Sequence, residues 1–191
     1  GTYTAIVTPF KDDKLDTPAL ERLVQAQISG GVDGIVPVGT TGESPTLDYD
    51  EHVEVIELAV KLAAGKIKVL AGTGANSTRE AIELSEYAKK AGANASLSVV
   101  PYYNKPTQEG LFRHYEAAAA ASSVPVILYN VPSRTACDML PETVARLAAL
   151  PRVVAIKEAV ASLDRFRALR AACPPAFEIL SGDDASVREA M

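Results

Sequence analysis

The sequence has 191 residues, of which 48% are hydrophobic and 23% are charged. This balance excludes an intrinsically disordered chain, because such chains lack the apolar side chains that form a core, and the length predicts one domain over residues 1–191. The net charge is −5, and no basic cluster is present, which argues against a nucleic-acid partner. No apolar stretch approaches the ~20 residues of a membrane span, so we expect no membrane partner either.

Cysteine usage and the first residues predict a cytoplasmic location. Cys137 and Cys173 form neither a metal-ligand pair nor a disulfide framework, as expected in a reducing compartment. No signal-peptide pattern opens the sequence. His, Cys, Asp and Glu do not cluster with the spacing of metal ligands, so we expect no metal site.

In chain order, seven apolar runs rich in Val and Ile alternate with longer amphipathic segments. Runs that are apolar nearly throughout are typical of strands buried on both faces of a parallel sheet. The predicted strands cover residues 3–7, 34–38, 68–71, 95–100, 125–129, 153–156 and 177–180.

The segments between the strands have helical spacing and recognisable ends. The first helix has Pro18 near its start and two glycines, Gly30 and Gly31, at its end, as helices prefer. Asp48, followed three residues later by Glu51, predicts a capping box for the second helix.

This alternation fits either an open doubly wound sheet or a closed (β/α) barrel. The closest approach to a dinucleotide-binding fingerprint is Gly72-Thr73-Gly74, which lacks the third glycine and the downstream acidic residue. We therefore predict an α/β fold of the (β/α)8 TIM-barrel type. Because such barrels need about 250 residues, and the chain ends at Met191 within a seventh helical pattern, we expect an incomplete barrel without strand 8 and the C-terminal helices.

Barrel enzymes carry their chemistry at the carboxyl ends of the strands, so those positions are the candidates. After the second strand, Thr40 and Thr41 lie between two glycines, where hydroxyl and backbone N–H groups suit a carboxylate or a phosphate; the alternative is a turn with a helix cap. After the fourth strand, Tyr102 and Tyr103 are either functional or packed beneath their loop.

The fifth strand ends at Tyr129, and Arg134 follows five residues later. A guanidinium grips a carboxylate with two parallel hydrogen bonds, although an isolated loop arginine is usually solvated. Gly182, after the seventh strand, marks either a close approach to a ligand or a helix cap.

Lys157, at the end of the sixth strand, is the decisive candidate. A buried ammonium is costly unless it is paired or functional. Desolvation lowers the pKa of a lysine, and the neutral amine then attacks a carbonyl to form a Schiff base. The alternative places Lys157 on the outer rim of the fold, paired with Glu158.

Together these segments resemble the dihydrodipicolinate synthase (4-hydroxy-tetrahydrodipicolinate synthase) family along the whole chain. The resemblance implies a Schiff-base lyase on a (β/α)8 barrel that condenses pyruvate with L-aspartate 4-semialdehyde to 4-hydroxy-tetrahydrodipicolinate, in diaminopimelate and lysine biosynthesis. It also implies no cofactor and, for the full-length protein, a homotetramer, which is a dimer of dimers. The segments that carry it are 5–9, 39–43, 101–104, 129–135, 156–159 and 181–185.

The resemblance also implies the catalytic roles. Lys157 would form the imine with pyruvate. Tyr129 would shuttle protons and would be linked through Thr41 to Tyr103, which would reach in from a neighbouring subunit.

The resemblance implies the substrate contacts as well. Thr40 and Thr41 would hold the pyruvate carboxylate, Gly182 would lie against the substrate, and Arg134 would bind the carboxylate of the semialdehyde. The Ser-Arg-Thr segment that contains Arg134 favours this family over N-acetylneuraminate lyase and keto-deoxy sugar acid aldolases, which remain alternatives.

Two further expectations follow from the resemblance. Some family members are inhibited by lysine, and the matching positions here are Ser44, His52, Asn76, Glu80 and Tyr102. Because the predicted barrel is incomplete, a non-catalytic fragment is the alternative from another functional class. A phosphate-binding barrel is disfavoured, since Asp183 and Asp184 would repel phosphate after the seventh strand.

Overall fold

The computed structural model describes residues 1–185 and 187–190, so Met191 lies outside the described residues. The predicted strands alternate with helical segments, and the structure adds a short hairpin near the start of the chain and a short extra helix after Val131. In chain order the strands are β1 (Tyr3–Ala5), β2 (Phe10–Lys11), β3 (Lys14–Leu15), β4 (Gly34–Val36), β5 (Lys68–Gly72), β6 (Ala95–Val99), β7 (Val126–Asn130), β8 (Val153–Glu158) and β9 (Glu178–Ser181). The helices are α1 (Thr17–Ser29), α2 (Tyr49–Ala63), α3 (Thr78–Ala91), α4 (Gln108–Ala121), α5 (Pro132–Thr135), α6 (Pro141–Ala148), α7 (Leu163–Ala172) and α8 (Val187–Ala190).

The chain divides into two compact units. The first unit comprises Gly1–Thr73 and Leu84–Leu97. The second unit comprises Gly74–Glu83 and the chain from Ser98 onward.

In the first unit, parallel pairing joins β1 to β4, β4 to β5, and β5 to β6. Pro18 lies in the first turn of α1 and the capping box of α2 forms, as predicted, while the cap of α1 was not predicted. The Asp16 carboxylate accepts the N–H of Ala19 at the start of α1, and Asp48 and Glu51 form the reciprocal capping box of α2. The core of this unit is aliphatic, with Leu20, Val24, Ile35, Val55, Ile56 and Val69 among its members.

A small antiparallel hairpin, β2 with β3, is absent from the sequence prediction. Its turn residues Asp12 and Asp13 both have positive φ angles of 53° and 56°, a conformation that short polar side chains tolerate. Phe10 and Lys11 are exposed, so the hairpin lacks the apolar run that identifies the other strands.

In the second unit, parallel pairing joins β7 to β8 and β8 to β9. Val100, directly after β6, donates its N–H to the carbonyl of Tyr129 on β7 at 2.9 Å. The core of this unit contains Leu111, Tyr115, Leu128, Met139, Leu147, Ile156 and Leu169. Each unit therefore has an apolar cluster of its own.

One irregularity sets the register at the site. The pairing of β7 with β8 shifts between Val126 and Ile127, because Val126 pairs with Val153 and Ile127 pairs with Ala155. Val154 is thus left without a partner on β7 and is 39% exposed, as an extra residue in a β-bulge is. Beyond this point the pairing is regular to the ends of both strands.

Candidate active site

Lys157 and Tyr129 face each other on neighbouring strands. They are register partners in the parallel pair of β8 and β7, and the Lys157 Nζ lies 4.4 Å from the centre of the Tyr129 ring. The tyrosine is buried and the lysine is half-buried. An ammonium at this distance is attracted to the negative face of the ring, so the pair holds the amine in a defined position.

Burial lowers the pKa of Lys157, and the negative charge of Asp184 opposes this change. Because a lower pKa increases the fraction of neutral amine at a given pH, Lys157 is a better nucleophile than a solvated lysine. The two strands therefore present an amine suited to attack on a carbonyl beside a phenol suited to proton transfer.

Gly182 closes tightly on the lysine. A Cβ atom at this position would lie 2.8 Å from Lys157 Cε and 3.2 Å from Ala159 Cβ. The Gly182 N–H donates to the carbonyl of Glu158 at 2.7 Å, which fixes the backbone in this position. Gly182 therefore makes a close approach to the lysine side chain, and its contact with a ligand stays a prediction.

The alternative in which Lys157 pairs with Glu158 is wrong. Successive side chains of a strand point to opposite faces, so Glu158 lies on the face away from the amine. Its carboxylate accepts hydrogen bonds from the Asn130 side chain and from the N–H of Val160, and Arg165 lies 3.7 Å away. Burial raises the pKa of Glu158, while the Val160 N–H, the Asn130 amide and the Arg165 guanidinium oppose this effect.

Sequence reasoning missed this group, which we name the carboxylate network (Asn130, Asp138, Glu158 and Arg165). Asn130 donates to Asp138 at 2.8 Å and to both oxygens of Glu158 at 3.1 and 3.2 Å. Arg165 donates to both oxygens of Asp138. The available sequence signal was Glu158 at the end of an apolar strand, with Arg165 seven residues later. The spacing gave no indication that Asn130 and Asp138 are their partners.

Tyr103 and Arg134 share an open cleft of about 740 Å³ in the second unit. Tyr103 is 88% exposed and has a φ of +74°, a conformation that costs a bulky residue free energy and occurs often at functional positions. Its N–H donates to the carbonyl of Thr135 at 3.4 Å. The cleft is lined by Tyr102, Tyr103, Lys105, Arg134, Thr135 and Ala136.

Arg134 lies on the four-residue helix α5, where the sequence predicted only a loop. Its side chain is exposed. An accessible guanidinium beside an exposed tyrosine is suited to hold a carboxylate that enters from solvent.

The threonine loop belongs to the first unit, where Thr40 and Thr41 are both exposed. The loop begins with Val38, which is buried and has a φ of +48°, an unfavourable conformation for a β-branched residue. Gly72 allows the close approach of this backbone, since a Cβ there would lie 2.2 Å from the Val38 carbonyl oxygen. The Thr8 hydroxyl donates to the carbonyl of Gly42 at 2.7 Å and so fixes the loop.

Three residues of the predicted lysine-regulatory set lie close together in the second unit. The Asn76 amide donates to the carbonyl of Tyr102 at 3.3 Å. Burial raises the pKa of Tyr102, and the charge of Glu80 adds to this effect. Ser44 and His52 lie in the first unit, where His52 is buried and its Nε2 is 2.7 Å from the Gly72 carbonyl oxygen.

The described residues contain no group of three or more His, Cys, Asp or Glu side chains able to hold a metal ion. Among the same residues, no helix is long and apolar enough to cross a membrane.

The whole chain, residues 1–191, matches the model of the dihydrodipicolinate synthetase family. The 4-hydroxy-tetrahydrodipicolinate synthase of Methylococcus capsulatus is 59% identical over 190 residues, which are 99% of this chain and 65% of that protein. The synthase structure from Methylacidiphilum fumariolicum SolV is 54% identical with a TM-score of 0.96, covering 98% of this chain and 63% of that one.

The structure of a third relative contains bound pyruvate. The chloride-inhibited dihydrodipicolinate synthase of Acinetobacter baumannii, in complex with pyruvate, is 50% identical with a TM-score of 0.97 and covers 100% of this chain and 66% of that one. These matches confirm the predicted fold class, a (β/α)8 barrel that is incomplete, with seven parallel strands among the described residues.

The chain spans about two thirds of the length of these relatives, between 63% and 66%. Within that length the match is continuous in sequence and in backbone structure. The chain belongs to the dihydrodipicolinate synthetase family.

Proposed function

We propose that this chain carries the pyruvate-binding part of a Schiff-base lyase that condenses pyruvate with L-aspartate 4-semialdehyde to 4-hydroxy-tetrahydrodipicolinate. The observation that carries the proposal is the half-buried amine of Lys157 held 4.4 Å from the Tyr129 ring centre. Membership of the family supports the choice of reaction.

In the first step the neutral Lys157 amine attacks the keto carbon of pyruvate, and loss of water leaves a protonated imine. The imine withdraws electrons, so the methyl carbon loses a proton and becomes an enamine nucleophile. The enamine then attacks the aldehyde carbon of the semialdehyde to form a carbon–carbon bond, and the aldehyde oxygen takes a proton to become the hydroxyl group. The amino group of the semialdehyde then attacks the imine carbon, which closes the ring and releases the Lys157 amine. The Tyr129 phenol is the proposed proton carrier for these steps, with Thr41 and Tyr103 as further members of the relay.

Recognition of the two acids would use separate groups. Thr40 and Thr41 would hold the carboxylate of pyruvate. Arg134 would bind the carboxylate of the semialdehyde, and its exposed side chain in the cleft beside Tyr103 supports this role. No group outside the protein and its substrates is required, because the protonated imine on Lys157 itself withdraws the electrons.

We also propose a homotetramer in the cytoplasm. The nearly complete exposure of Tyr103 on a strained backbone supports a role for this side chain in a neighbouring subunit. The two cysteines are free and buried, as in proteins of a reducing compartment. Sedimentation velocity on the wild-type chain and on Tyr103→Ala tests the assembly: a tetramer that dissociates in the variant is expected, and a monomeric wild-type chain would reject it.

The reaction is tested by incubating the chain with pyruvate and borohydride, followed by intact mass and peptide mapping. One reduced pyruvate on Lys157 is expected, with none on Lys157→Met. Lys89→Met removes an exposed lysine on α3 and is the matched control that should label normally. With the Methylococcus capsulatus relative as positive control, labelling of that protein but not of this chain would reject the proposed activity for this chain.

A further inference from the structure

Two neighbouring residue pairs occupy opposite faces of the same two strands. Tyr129 pairs with Lys157, and the next residues along each strand, Asn130 and Glu158, pair with one another. Because side chains alternate between faces, the Asn130–Glu158 pair lies directly behind the amine and the phenol. On each strand a single peptide bond joins the two pairs.

The hydrogen bonds of the rear pair fix the ends of the strands. The Glu158 carboxylate accepts from the Asn130 amide at 3.1 and 3.2 Å and from the N–H of Val160 at 2.9 Å. The Asn130 side-chain oxygen accepts from the N–H of Met139 at 3.0 Å. These contacts connect β7, β8 and the segments that follow each of them.

The rear pair is fully buried, since Asn130 and Glu158 each have 0% exposed surface. Hydrogen bonds in such surroundings are costly to break, because neither partner is compensated by water. Arg165, whose side chain is 11% exposed, adds charge-assisted contacts from α7 to Asp138 and Glu158. The carboxylate network therefore ties the strand ends to a helix as well as to each other.

We propose that the carboxylate network is a positioning device for Lys157: Asn130 and Glu158 hold β7 and β8 in the register that keeps the amine against Tyr129 and partly shielded from water. This inference deepens the proposed function and rests on it for its catalytic meaning. The network touches no reacting atom, so its members are positioning residues.

The test measures the reactivity of Lys157 without any substrate. Wild-type protein and variants are acylated with acetic anhydride across a pH series, and mass spectrometry of the Lys157 peptide gives the midpoint of its titration. Asn130→Leu removes every side-chain hydrogen bond of Asn130 without changing the charge. Loosened strand ends admit water to the amine, so we expect the midpoint to rise by about one pH unit, which reduces the neutral amine at pH 7 about tenfold.

Thr143→Val is the matched control. Thr143 is buried in the same unit, and its hydroxyl donates to Gln108 at 2.6 Å. Its loss should lower the melting temperature without moving the Lys157 midpoint. If Asn130→Leu lowers the melting temperature and leaves the midpoint at its wild-type value, the network is merely structural and the inference is overturned.

Glu158→Gln is a second test of the positioning role, and it is used if Asn130→Leu does not fold. It removes the charge of Glu158 and part of its hydrogen bonding. The charges acting on Lys157 include that of Asp184, whereas Glu158 lies on the opposite face of the strand, so loss of the Glu158 charge by itself would not raise the Lys157 midpoint. Loss of the positioning contacts raises it. A raised midpoint supports the inference, and an unchanged or lowered midpoint overturns it.

Pyruvate trapping on the same samples keeps the two proposals distinct. A wild-type protein without a pyruvate adduct, combined with a raised midpoint in Asn130→Leu, would reject the reaction and leave the positioning role standing. A wild-type adduct combined with an unmoved midpoint would reject the positioning role and leave the reaction standing.

Discussion

At the scale of single residues, the site depends on how Lys157 is packed. Its ammonium lies over the Tyr129 ring, and its alkyl chain contacts the position where Gly182 has no side chain. Burial lowers the pKa of the amine, so the packing around Lys157 also determines its reactivity. A change that crowds the alkyl chain should therefore alter the chemistry before it alters stability.

Gly182→Ala makes such a change. The added methyl group would lie 2.8 Å from Lys157 Cε, an atom of a flexible side chain that moves aside at little cost in folding free energy. We expect pyruvate trapping to slow about tenfold, the effect of a barrier raised by about 1.4 kcal/mol, with a melting temperature close to wild type. Gly110→Ala on α4 is the matched glycine control, and equal trapping rates in the two variants would contradict the prediction.

Sequence reasoning selected Lys157 and Tyr129 but not their surroundings. An ammonium at the end of an apolar strand is a local signal, visible in six consecutive residues. The carboxylate network has no local signal, because Asn130 and Glu158 are 28 residues apart and become neighbours only through strand pairing. The exposure of Arg134 and Thr40 likewise depends on the tertiary structure, and their binding roles stay predictions.

At the scale of elements, the strands with apolar runs were predicted within about two residues, since burial on both faces leaves a continuous signal. The predictions ended β7 and β8 too early, at Tyr129 and Ile156, because the polar residues Asn130 and Glu158 close these strands. The hairpin of β2 and β3 and the short helix α5 were missed, since elements of two to four residues carry no periodicity.

The capping box of α2 offers a prediction at this scale. Asp48→Ala removes the side chain that accepts the N–H of Glu51 at 2.8 Å, and we expect a loss of about 1 kcal/mol in the free energy of unfolding. Asp50 is the second residue of α2. Asp50→Ala removes only a favourable negative charge near the start of the helix, and we expect it to cost about 0.3 kcal/mol. Urea unfolding measures both values, and equal losses would contradict the capping role.

At the scale of the whole molecule, the alternation of seven apolar runs with helical segments predicted the fold class, and the relatives confirm it. The division into two compact units was not foreseen, because two of its three boundaries fall inside α3 and β6, where the sequence pattern is continuous. Each unit nevertheless has its own apolar cluster.

Separate clusters predict separate responses to core substitutions. Leu147 has no exposed surface in the second cluster, and Leu147→Ala should cost about 2–5 kcal/mol. Hydrogen exchange should accelerate at amides of the second unit, while Ile56→Ala, in the first cluster, should accelerate exchange in the first unit. Identical exchange maps for the two variants would show that the clusters do not act separately.

The alternation of Tyr129-Asn130 with Lys157-Glu158 has a consequence for protein engineering. The four residues form two dipeptides on adjacent parallel strands. In each dipeptide one residue is proposed to take part in the reaction and the other to hold the strand in position. A design that copies only the lysine and the tyrosine into another parallel sheet would lack the two residues that position the amine. Grafting the amide and the carboxylate with them requires host strands with the same pairing, a second carboxylate in the place of Asp138 and a basic residue on the following helix.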